Sequence, residues 1–218
     1  MENFSCRTEK KRLELLDNYE FIPISHMILL YGQEKHSAAE RKITKEYYCF
    51  SYKNKTLEYD KGTFFVGTPV AKNFLELLKL EPLPLFNPIK SLENNKKRIY
   101  RKTNFGNINE NNWNELALEL YEIIHIILMA WDTYGGILAD ILSKTRKYYY
   151  KEPFLSSIKS VNTIIKNGEE RNGKKRNILE ILKEFKEMGN EIKEYSFPLV
   201  TQILRNNEIP NYITSNGA

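Results

Sequence analysis

From Trp113 to Ile141 the apolar residues recur at alternating spacings of four and three: Trp113, Ala117, Leu120, Ile124, Ile127, Trp131, Tyr134, Leu138 and Ile141. That mean spacing returns each side chain to one face of an α-helix. It predicts a single seam down a helix of about 30 residues. Leu116, Ile123, Leu128 and Ile137 widen the seam, as a helix buried by two or more neighbours requires. Gly135-Gly136 within it costs about 1 kcal/mol per glycine in helix propensity, which predicts a close helix crossing or a kink. The broad apolar face and the glycine pair together predict a homodimer.

The helical period continues to the C-terminus. Pro153–Ile165 aligns Phe154, Ile158, Val161 and Ile165, and Asn177–Tyr195 aligns Ile178, Ile181, Leu182, Phe185, Met188 and Ile192. Between them NGEERNGKK reads as a polar loop. Ser196 before Phe197-Pro198 suits the cap of a last helix, Phe197–Asn207. Before residue 81 the pattern is mixed. Glu9–Tyr19 predicts a short helix with Leu13, Leu16 and Tyr19 inward. EYYCFSYKNKTLEYDKGTFFVG predicts an antiparallel meander broken at Asn54 and at Asp60-Lys61-Gly62. Thr68-Pro69 opens a helix with a Val70, Phe74, Leu77, Leu78 stripe. The expected fold is therefore mainly α: a small α+β lobe over 1–80, a Pro-rich linker over 81–90, and a bundle of about four helices over 91–218.

Charge and composition narrow the classes of function. The longest apolar run, IIHIILMAW, is far short of the ~20 residues of a membrane span. No apolar stretch follows the N-terminal charges, so no secretory signal is expected. Two cysteines, Cys6 and Cys49, lack zinc-ligand or CxxC spacing, and a cytoplasmic protein without structural disulfides is the simplest expectation. The net charge of +5 is compatible with a polyanionic partner without demanding one. Basic residues gather in NNKKRIYRK, KTRKYYYK and ERNGKKRN. In the second run Lys144, Arg146, Lys147 and Lys151 flank Tyr148 and Tyr149, a mixture of cations and rings suited to phosphates and stacked bases.

Catalytic signatures are incomplete. GTFFVGTP has glycines at P-loop spacing, but Thr68-Pro69 stands where the lysine is needed, so it reads as strand, turn and helix start. Three histidines, His26, His36 and His125, form no HxxxH or HxH pair, and neither a metal nor any other cofactor is expected. His125 lies beside the long seam, either as a neutral core histidine or as a general acid–base lining a groove.

The final helix runs out at ILRNNEIPNY, residues 203–212. A long helix, shorter helices and a terminal Arg-Asn segment together resemble the HEPN superfamily of helical bundles, over roughly Asn112 to Tyr212. Its motif is an Arg, usually followed by a polar residue, with a His after four to six intervening positions. Arg205 and Asn206 match its start, while the first position for the His is Pro210. The resemblance implies a metal-independent ribonuclease acting as a dimer, in which the Arg neutralises the scissile phosphate and the His moves the proton of the RNA 2′-hydroxyl. Arg205 has the guanidinium fork for the first task. Proline has no group for the second, whose loss usually costs 10²- to 10⁴-fold. His125 substitutes only if folding brings it to Arg205. The expectation is thus a catalytically degraded protein that binds RNA or a protein partner in a prokaryotic or phage defence or toxin–antitoxin system. An active ribonuclease is one alternative. The other is an inhibitor or immunity-type protein whose exposed tyrosines and aromatic strands, Tyr47–Tyr52 and Thr63–Val66, are the adhesive surface.

Overall fold

The computed structural model describes residues 5–90, 113–131, 136–168, 170–171 and 174–215. Among these are seven helices and a mixed four-stranded sheet, so the chain is α-rich with an N-terminal α+β part. Two compact units, Met1–Pro88 and Ile89–Ala218, divide it.

In the first unit α1 (Glu9–Asn18) leads into β1 (Tyr19–Ile28), followed by the short strands β2 (Lys35–His36) and β3 (Lys42–Ile43). The expected meander is β4 (Glu46–Asn54) and β5 (Lys61–Gly67), after which come α2 (Thr68–Leu78) and β6 (Leu85–Phe86). The sheet order is β5-β4-β1-β6, with β1 antiparallel to β4 and parallel to β6. β1 is central, yet its sequence does not announce a strand, because Pro23 lies within it. The register shifts between Pro23 and Ser25, so the proline sits at a bulge, where the missing N–H is tolerated. Part of the Pro-rich stretch, Leu85–Phe86, is itself a strand beside β1.

Phe21, Phe50 and Phe64 pack against Ala71, Phe74 and Leu75 of α2 in one core. Phe21 meets Phe64 edge-on at 5.6 Å, a preferred aromatic geometry. Of the expected stripe Phe74 is buried and Val70 and Leu78 are partly buried against the core, while Ala71 and Leu75 complete the buried face. On α1, Leu13 is exposed, while Leu15, Leu16 and Tyr19 are partly buried against the core. A ten-residue helix packed beside β1 needs only one flank covered.

The second unit is built around α3 (Glu115–Trp131), whose start is capped by Asn114 Oδ1 accepting from the Ala117 N–H at 3.1 Å. Leu116, Ala117, Leu120, Tyr121 and every residue from Ile123 to Met129 are buried, so the helix is enclosed on all sides. α4 (Ile137–Lys147), α6 (Ile178–Glu187) and α7 (Pro198–Asn206) pack on it, and α5 (Leu155–Lys166) packs on α4 and α7. The single helix of about 30 residues is thus two helices. Gly136, at φ 63°, stands immediately before α4 in a conformation that favours glycine. Tyr134 and Gly135 lie outside the described residues. Five helices replace the expected four, and the polar loop contains a two-residue ladder, β7 (Glu170–Arg171) with β8 (Lys174–Lys175).

Helix ends follow local chemistry. Asn177 and Glu180 form a reciprocal capping box at the start of α6, and Gly189, at φ 92°, follows its end well short of Tyr195. α5 begins after Phe154, which is exposed rather than inward. Just past α5, Gly168 abuts the Trp131 indole so closely that any Cβ there would overlap the ring. Gly168→Ala is expected to lower stability by about 1–3 kcal/mol through overpacking. A urea midpoint equal to the wild type would disprove this close approach.

Candidate nucleic-acid interface and the Arg205 segment

The segment around Arg205 is a helix terminator. Glu208 adopts the left-handed conformation, φ 55°. The Ile209 N–H donates to Leu204 O at 2.9 Å and the Glu208 N–H to Arg205 O at 3.0 Å. That pair of bonds is the Schellman motif, here with Glu where glycine is usual, and Pro210 follows because it cannot continue a helix. Arg205 and Asn206 are both exposed on the last turn of α7. A cation there complements the negative end of the helix dipole.

The chain beyond is pinned by a residue that periodicity did not single out. Asn162 of α5 is buried, its Nδ2 donating to Pro210 O and its Oδ1 accepting from the Tyr212 N–H, both at 2.8 Å. Lys166, one turn on, lies over the Tyr212 ring with Nζ 5.1 Å from its centroid. A buried asparagine on the apolar face of a helix was the available signal, since such an amide must find backbone partners.

His125 does not serve as an accessible acid–base. It is 1% exposed inside α3, with Nδ1 2.9 Å from Tyr121 O. A carbonyl only accepts, so Nδ1 carries the proton. Burial pushes the imidazole pKa down to about 3, and the Arg146 cation pushes in the same direction. His125 is therefore a neutral core histidine, ring against ring with Tyr121 at 4.2 Å. Reaching an RNA phosphate would require it to leave the interior.

The KTRKYYYK run divides into an inner and an outer set. Arg146 is half-buried, and burial lowers its pKa while its charge acts on Tyr121 and His125. Tyr149 is also half-buried, packed 5.6 Å from Trp113, and its carbonyl accepts from the Asn114 N–H. Both leave the expected binding set for the same reason: each packs toward α3. Lys144, Lys147 and Lys151 remain exposed. Tyr148 is 44% exposed and Tyr150 is 56% exposed. Lys147 Nζ lies 5.5 Å from the Tyr148 centroid, and Lys151 Nζ lies 5.8 Å from Tyr148 and 5.6 Å from Tyr150. A cation over an aromatic face is held by the ring quadrupole, which fixes the ammonium beside the stacking surface.

Other candidates resolve into structure. Most of the expected adhesive strands are interior: Tyr47, Tyr48, Cys49, Phe50, Tyr52, Phe64 and Val66 are buried. The glycine run is a strand, an N-cap at Gly67 and a helix. The basic run NNKKRIYRK lies outside the described residues. No helix among the described residues is long and apolar enough to cross a membrane. Among them, no group of three or more His, Cys, Asp or Glu is placed to hold a metal ion. No protein-family model matches the sequence, and comparison with curated proteins and with solved structures finds no match.

Proposed function

We propose that this protein is a catalytically degraded, HEPN-like RNA-binding protein, its C-terminal helices a HEPN-like bundle, serving a prokaryotic or phage defence or toxin–antitoxin system. The observation that carries RNA binding is the surface of Lys144, Lys147 and Lys151, with the last two stacked on Tyr148 and Tyr150. Lysines neutralise phosphates, and exposed rings accept bases. The degraded state is supported at Arg205: its segment forms a Schellman stop, Pro210 brings no proton-transfer group, and His125 is interior. The α3 seam is already covered within the chain, so the homodimer rests on the resemblance alone.

In EDTA the protein is expected to bind RNA without cutting it. Changing Lys144, Lys147 and Lys151 together to Gln is expected to reduce the salt slope of single-strand binding by about 2, near 0.7 per phosphate contact. RNA cleavage that disappears in Arg205→Ala would establish the active ribonuclease instead. Tight co-purification of one protein, with no RNA binding at physiological salt, would establish the interaction protein. Sedimentation at micromolar concentration tests the dimer, and a 25.8 kDa species alone would count against it.

A further inference from the structure

We propose that Phe154 extends this surface into a three-ring platform, with Tyr148 and Tyr150, that stacks the bases of single-stranded nucleic acid. The inference rests on the RNA-binding reading above and adds the form of the ligand. Each of the three rings is exposed rather than packed into the core. Phe154 is the N-cap residue of α5, where Ser, Thr, Asp or Asn would bond the first turn, and it makes no side-chain cap. It is 79% exposed, so almost none of its apolar surface contributes to the core.

Its backbone is nonetheless held in place. Phe154 O accepts from the N–H groups of Ser157 and Ile158, at 2.9 and 3.4 Å, which fixes the backbone at this corner. Tyr148 is the C-cap of α4, a position that ordinarily favours a small or polar residue, and the Lys151 N–H donates to its carbonyl at 2.9 Å in a tight turn. Between Tyr148 and Tyr150, Tyr149 turns inward against Trp113, so the chain alternates out, in, out.

Only three residues lie between Tyr150 and Phe154, which keeps their Cα atoms within about 14 Å. The three exposed rings thus fall within one short stretch of backbone, with Lys147 and Lys151 set beside two of them for the phosphates. Base faces are hidden inside a duplex and open in a single strand. Stacking reads a π-face that ribose and deoxyribose strands share, so the platform is indifferent to the sugar.

The test measures fluorescence anisotropy with a labelled uridine oligomer, its deoxythymidine counterpart and a blunt RNA duplex of equal length. Phe154→Ala is expected to weaken both single strands about tenfold or more and to leave duplex binding unchanged. The side chain is exposed, so the variant is expected to keep the wild-type melting temperature. If wild type and variant bind the single strands equally, the platform is wrong while the RNA-binding reading stands. If neither single strand nor duplex binds the wild type, both fail. A preference for ribose over deoxyribose above about tenfold would overturn base-face stacking. Loss of self-association in Phe154→Ala, with RNA affinity intact, would assign the ring to a protein contact and overturn the inference.

Discussion

Acidification is expected to destabilise this protein steeply, at about 1.4 kcal/mol per pH unit from His125 alone. The folded pKa lies near 3 and the unfolded value near 6.5, the difference arising first from burial and then reduced by the Tyr121 carbonyl. The unfolded chain therefore takes up the proton before the folded one does. The stability contribution is fully present above 6.5, falls as the pH drops toward 3, and is constant below that. His26 acts in the same direction. Burial lowers its pKa, while Leu83 O, 3.1 Å from Nδ1, and Glu46, 3.5 Å from Nε2, partly offset that effect. Chemical denaturation across this pH window is the measurement. His125→Gln should flatten the slope, whatever the variant's stability at neutral pH. An unchanged slope would mean that His125 meets water in the native state.

Glu119→Ala is expected to cost about 2–5 kcal/mol, the sum for two helix N–H groups left without an acceptor. Glu119 lies in α3, eighty residues before its partners, and its carboxylate accepts from the Leu199 N–H at 3.1 Å and the Val200 N–H at 2.8 Å. It thereby caps α7, which has no side-chain cap of its own. Glu119→Gln keeps one acceptor oxygen and should lose less than half of the alanine effect. Equal losses would show that packing, and not the cap, is responsible. Burial raises the Glu119 pKa, and the two N–H bonds oppose that rise. Its titration therefore works against that of His125: its contribution is fully present below 4.5 and declines as the pH rises past that value. The two effects separate experimentally because the histidine effect extends to 6.5.

The same two residues illustrate what one-dimensional reading misses. Glu119 stands in the largely apolar stretch LALELYEII, where a buried carboxylate signals a need for distant donors. Spacing alone does not say which N–H groups those are. His125 had two readings, core histidine and groove acid–base, and burial chose the first.

Local rules settled much of this protein without help from the fold. The β4–β5 meander, the start of α2 at Thr68-Pro69, the Asn177 cap and the stop at Asn207–Pro210 follow from turn, capping and proline chemistry that acts within a few residues. The concentration of lysine and tyrosine over residues 144–151 was equally visible. Tertiary structure decided which of those side chains meet water. Arg146 and Tyr149 are half-buried, Tyr149 because its ring packs on Trp113, whereas Tyr150 and Phe154 face outward. It also made a strand of β1 despite Pro23, since a bulge opposite β4 absorbs the missing donor. The physical reason is range: a cap or turn is determined by neighbours in the chain, whereas exposure is determined by whatever the rest of the molecule packs against it.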